Sequence, residues 1–88
     1  MLSYTQLDTV VSIGDNNVEL VRIDTPALLI NKTVSELSVI GEIQIVAISH
    51  EGKTFLPTLG TKFQKNDIIY IAVVSSSVKR LKSILGLL

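Results

Sequence analysis

The sequence predicts a small α+β domain: a mixed or antiparallel four-stranded sheet, short helices after its first strand, and a closing amphipathic helix. Three observations predict it. Four segments rich in β-branched residues are separated by clusters of Gly, Asn, Asp and Pro. Thr33 and Glu36 stand at capping-box spacing just after the first of them. Val78, Leu81, Leu85 and Leu88 then recur at i, i+3, i+7 and i+10, one face of a helix.

The chain has 88 residues and no cysteine. It is short enough for one domain, and apolar packing must hold it without disulfides or thiolate-bound metal. A domain of this size hides only about 60–65% of the surface its unfolded chain exposes. Yet 47% of the residues are hydrophobic, and the mean hydropathy is +0.48. Part of that surplus is expected to be covered from outside, by a second copy or a neighbouring domain. Eight Lys and Arg balance eight Asp and Glu. Without a positive field, nucleic acid is not an expected partner. The longest apolar run, Ile68 to Val74, is far short of the roughly 20 residues of a membrane span. Met1 to Tyr4 lacks the basic flank and apolar stretch of a secretory signal. No membrane insertion and a cytoplasmic location are expected.

Residues 1–16 read as a helical lead-in or linker, with Leu7, Val10 and Val11 on one face, and as the tail of something larger. Gly14 to Asn17 is a break. The domain itself is expected over 17–88. Val18 to Ile23 is its first strand. Thr25 is placed to cap a short helical turn, with Pro26 in the first position and Ala27 to Leu29 following. Val34 to Ser38 is a second short helix. Gly41 breaks the chain again. Ile43 to His50 is the second strand. Its Ile45, Val46, Ala47 and Ile48 suggest burial on both faces. Glu51-Gly52 links it to Lys53–Leu56, where Pro57 ends the strand or puts it on an edge. Lys65 to Asp67 is a turn, and Asp67 to Val74 a central strand. Ser75 to Ser77 offers N-caps for the last helix, and Gly86 stops it.

The order and spacing of these segments carry a resemblance. Val18-Glu19-Leu20-Val21-Arg22-Ile23 leads to Pro26 and then to Asn31-Lys32-Thr33-Val34-Ser35-Glu36-Leu37. Ile45-Val46-Ala47-Ile48, Gly52-Lys53, Phe55-Leu56-Pro57 and Lys65-Asn66-Asp67-Ile68-Ile69-Tyr70-Ile71 follow. This succession resembles the TrkA-C (RCK C-terminal) domain of potassium-uptake regulators, over roughly residues 17 to 87. Asn31 and Asn66 stand where that family usually has glycine; asparagine is the next best residue for positive φ. His50 lies near a position where many members carry arginine. The resemblance implies a regulatory homodimer, fused or docked to a nucleotide-binding Rossmann domain. Its partner would be a membrane cation transporter, which would hold the domain at the inner membrane's cytoplasmic side. It also implies a possible ligand, a cyclic dinucleotide such as cyclic di-AMP, in the cleft between two copies. The other readings are a dimerisation module without ligand, or the sensor of another transporter or a transcription regulator.

The residues offer little catalytic chemistry. Gly14, Gly41, Gly52, Gly60 and Gly86 are too scattered for a phosphate-cradling loop. One histidine without cysteine makes a poor metal set. No serine sits in an exposed elbow pattern. The chain is not expected to be an enzyme, and no cofactor is expected within it. The ligand candidates are Ile30, Asn31, Lys32 and Thr33, where free helix N–H groups and an ammonium would meet an anion. Val46, Ile48 and Pro57, with Ile45, would supply apolar walls, and His50 a polar contact. The same residues also read more plainly. Ile30 to Thr33 is then a capped helix with an exposed lysine, the apolar group is core, and His50 is a solvated strand end. Lys79, Arg80 and Lys82 read as a solvated helix face.

Overall fold

The computed structural model describes residues 7–87. β1 (Asp8–Ile13) and β2 (Val18–Asp24) lead to a 3-10 turn at Ala27–Leu29 and to α1 (Val34–Leu37). β3 (Ile43–His50), β4 (Lys53–Phe55) and β5 (Ile68–Val74) follow, then a 3-10 turn at Ser75–Ser77 and α2 (Val78–Ile84). The strands form one sheet in the order β1-β2-β5-β3-β4, and every pairing is antiparallel.

The sheet therefore has five strands where four were expected. The additional one replaces the expected helix over Asp8–Ile13; Met1 to Gln6 lie outside the described residues. Thr9, Val10, Val11 and Ile13 are β-branched and fit a pleated surface better than a helix. The segment Gly14 to Asn16 supplies three consecutive positive φ angles, 60°, 55° and 69°. Asn17 N donates to Gly14 O at 3.1 Å, so the break is a hairpin turn that folds β1 onto β2. A register shift between Thr9 and Val11 marks a bulge; Leu7, before the strand, packs against the core, whereas Val10 and Val11 are exposed.

One sheet face carries the core. Val21, Ile23, Ile43, Ile45, Ile48, Ile69, Ile71 and Val73 are buried, and Leu29, Val34, Leu37, Phe63, Leu81 and Leu85 complete the cluster. β5, paired on both sides, is central as expected. β3 departs from expectation. Its register slips between Ile45 and Ala47. The bulge turns both Ile45 and Ile48 into the core and leaves Val46 exposed. Burial on both faces is thus not observed for this strand. On the other face, Leu20 lies between Val11 and Ala72, and Val18 between Ile13 and Val74. Val11 and Ile13 are exposed there and the others half-buried, so this face is apolar where an antiparallel sheet's outer side is ordinarily polar.

Two expected caps are built differently. Thr25 donates its hydroxyl to the main-chain oxygen of Asp67 at 3.0 Å, and Pro26 precedes the 3-10 turn without a side-chain cap. The Ser75 hydroxyl bonds Asn16 O and the Ser77 hydroxyl bonds Glu42 at 3.0 Å. The serines thus tie the chain to earlier loops, and α2 begins without a side-chain cap. Leu81 and Leu85 point into the core and Val78 packs against it; Leu88 lies outside the described residues. Gly86 ends the helix with φ +78°.

Candidate functional site

The entry to α1 is rigid and fully bonded. Asn31 adopts φ 71°, which asparagine tolerates. Glu36 N donates to the Thr33 hydroxyl at 3.4 Å, and Thr33 N donates to the Glu36 carboxylate at 2.7 Å. This is the expected capping box. The Thr33 backbone bond, helped by the Thr33 hydroxyl and by Lys32 and Lys62, holds the Glu36 carboxyl below its ordinary pKa. Val34 N donates to Thr61 O at 2.9 Å and Ser35 N to Leu59 O at 3.0 Å. The N–H groups expected to be free for an anion are therefore engaged by the chain itself. Asn31 and Lys32 are exposed, and Ile30 and Thr33 half-buried. Lys32 borders a smaller pocket of about 340 Å³ with Glu36 and the apolar Leu28, Leu29, Leu37 and Ile84.

The larger cavity is a groove of about 670 Å³ between the 38–44 segment and Pro57–Leu59, floored by Val34, Ile43 and Ile45. Two segments make its walls. Val39 and Ile43 pair through N–H···O bonds of 2.9 and 2.8 Å, and Gly41 supplies φ +77° at the bend. That bend pushes Ile40 fully into solvent. Opposite, Pro57 ends the strand run and the chain turns back to bond α1 through Leu59 O. Ile40, Leu56 and Leu59 are large, apolar and exposed, an arrangement that a monomer in water does not favour. Glu42 is the charged residue in the lining. It accepts from Ser77 at 3.0 Å and from Arg80 Nη1 at 2.9 Å. These bonds, Ser77 first, hold its carboxyl below the ordinary value.

The expected site residues are not brought together in one place. Pro57 and Ile45 line the groove. Val46 is exposed beside it in sequence, whereas Ile48 is fully buried in the core and presents no surface to a guest. His50 sits at the far end of β3. Its Nδ1 is 2.6 Å from the Asp67 carboxylate and its Nε2 3.8 Å from Glu51. Asp67, read from sequence as a turn residue, is buried. The groove-forming Val39, Ile40, Thr58 and Leu59 were not singled out. Their sequence signal is faint: two apolar residues before Gly41 and one before Gly60 that belong to no strand or helix stripe. Among the described residues no group of three or more His, Asp or Glu gathers as a metal set, and no helix is long and apolar enough to cross a membrane.

Comparison with solved structures returns the same fold. The GsuK RCK domain superposes with TM-score 0.75 at 17% identity, over 93% of this chain and 18% of that one. The RCK_C domain dimer of S. agalactiae BusR in complex with c-di-AMP gives 0.60 at 26% identity, over 76% of this chain and 95% of that one. S. agalactiae BusR in complex with its busAB-promotor DNA gives 0.62 at 24% identity, over 89% of this chain and 40% of that one. The GsuK and DNA-bound BusR likenesses establish the fold alone, and this chain spans about a fifth of the GsuK chain. No curated protein matches. The family model described as the TrkA-C domain matches residues 18–86, the stretch from the start of β2 to the glycine that ends α2, and the chain belongs to that family.

Proposed function

We propose that this domain is the regulatory, ligand-binding part of a cation-transport regulator, works in the cytoplasm as a homodimer, and takes a cyclic dinucleotide such as cyclic di-AMP where two copies meet. The observation that carries the reading is the apolar groove between the 38–44 segment and Pro57–Leu59, with Ile40 and Leu59 exposed along it. A cavity of that size and lining suits flat purine bases, and its exposed side chains suit a second copy. The BusR domain that is 26% identical is a dimer in complex with c-di-AMP, which favours the same arrangement here. Pro57 and Ile45, which line the groove, are the proposed apolar contacts. Lys32, at the separate smaller pocket with Ile30, Asn31 and Thr33 beside it in sequence, is the proposed phosphate contact, and Val46 and His50 are not part of the groove. The ligand would act by binding one arrangement of the two copies better than another. An attached Rossmann domain and a membrane transporter would receive that movement.

Titration calorimetry with cyclic di-AMP, with cyclic di-GMP as comparator, tests this. Saturable binding is expected, weakened about tenfold in Lys32→Ala, the loss of about one charge-assisted contact. Absence of heat for every cyclic dinucleotide at millimolar concentration would overturn the ligand and favour a second reading, a dimerisation module without ligand. One observation favours that second reading: the N–H groups at the start of α1 are already bonded to Thr61, Leu59 and Thr33.

A further inference from the structure

His50 and Asp67 are the two stems of a long excursion. The chain leaves β3 after His50, pairs back on it briefly as the edge strand β4, and re-enters the centre of the sheet at Ile68. Between them lie β4, the groove wall Pro57–Leu59, and the Thr61–Phe63 stretch that bonds the start of α1. The stems are joined by one side-chain contact, His50 Nδ1 to Asp67 Oδ1 at 2.6 Å. Asp67 is the fixed partner. It is buried, its N–H donates to Gln64 O, and its main-chain oxygen accepts from both Thr25 N at 2.9 Å and the Thr25 hydroxyl at 3.0 Å. His50 is the movable partner, about two-fifths exposed and open to protons from solvent.

The geometry points to a proton-operated clasp: charging His50 closes the base of the 51–66 excursion, and neutralising it loosens that excursion and with it one wall of the groove. The acidic groups around the imidazole favour this. Asp67 faces it from the turn before β5 and Glu51 from the hairpin turn. Lys53, an exposed cation, stands opposite in the β4 register. Asp24 and Lys65, the other charged side chains at this end, are exposed. A neutral imidazole keeps an Nδ1–H bond to the Asp67 carboxylate in one tautomer, but loses the ion-pair attraction that its positive charge adds. The Asp67 hydrogen bond raises the His50 pKa above its ordinary 6.5, with the Asp67 and Glu51 charges adding to it against partial burial. The group's folded pKa lies above its unfolded one. The clasp is therefore complete below about pH 6.5 and is lost as pH rises through the raised value. The effect on a groove ligand rests on the function proposed above; the clasp itself does not.

Amide hydrogen exchange on the ligand-free protein reads the clasp, and the chain's one histidine gives an unambiguous imidazole signal for its titration. After correction for intrinsic rates, β4 and Thr61–Phe63 amides are expected to exchange several-fold faster at about pH 8 than at about pH 6, in step with that titration. His50→Arg, charged at both pH values, is expected to hold the slow rate throughout, and His50→Gln the fast rate throughout. An unchanged pH response in either variant, or no response in the wild type, would overturn the clasp.

Discussion

Phe63→Ala is expected to destabilise the domain by about 3–5 kcal/mol, read as a fall in the urea midpoint at unchanged slope. Phe63 is fully buried although it lies on the excursion between β4 and β5, outside every strand and helix. Two main-chain bonds hold it there. Its N–H donates to Lys32 O and its oxygen accepts from Asn31 N, both at 2.9 Å. The ring packs in the same cluster as Val34, Leu37 and the sheet. Truncation would leave a cavity that this double tether prevents from collapsing. Against a total stability of about 4–13 kcal/mol for a chain of this length, the loss is large enough to populate the unfolded state at ordinary temperature. Lys62→Ala, next in sequence but exposed, is expected to change stability by less than about 0.5 kcal/mol.

Leu81→Ala is expected to cost about 2–5 kcal/mol by undocking α2. That helix is only seven residues long, too short to persist in water by itself. Its position depends on the burial of Leu81 and Leu85, with Val78 packed beside them. Removing the Leu81 side chain takes away one of two full anchors. Lys79 and Arg80 on the other side of the helix are exposed, and Lys79→Ala is expected to be nearly silent. A combined Leu81→Ala, Leu85→Ala variant would uncover Ile69, Ile71 and Val73 and is expected to be unfolded by circular dichroism.

The sequence was most readable where local chemistry and tertiary packing agree. Thr33 and Glu36 form the capping box their spacing predicts. The Glu51-Gly52 hairpin has the two positive φ angles, 50° and 83°, that its glycine implies, and the C-terminal stripe turns inward. Reading failed where one pattern served two structures. Leu7, Val10 and Val11 fit a helix face until the Gly14–Asn17 turn folds Asp8–Ile13, with Val10 and Val11 in it, back as β1. The apolar run Ile45 to Ile48 is split by a bulge that sequence does not mark. Capping serines and a bonding serine are the same residue, and only the positions of Asn16 and Glu42 decide between them. The groove was the least legible part. Its walls meet through contacts far apart in sequence, Ser35 N to Leu59 O among them, and its exposed Ile40 has no periodic partner. The His50–Asp67 pair is hidden in the same way, since it joins residues from opposite ends of the excursion.

The apolar surplus of the chain is visible on the outer sheet face around Leu20 and in the groove flanked by Ile40 and Leu59, which meet at Val18, Ala72 and Val74. The core helices leave both uncovered. In the proposed homodimer this would be functional surface, because burying it would couple one copy to the other.

Sedimentation velocity over a micromolar concentration series, with and without cyclic di-AMP, tests that coupling most directly. A reversible monomer–dimer equilibrium, drawn toward dimer by cyclic di-AMP, is expected. A sedimentation coefficient fixed at that of a single copy, at every concentration and with the nucleotide present, would contradict it.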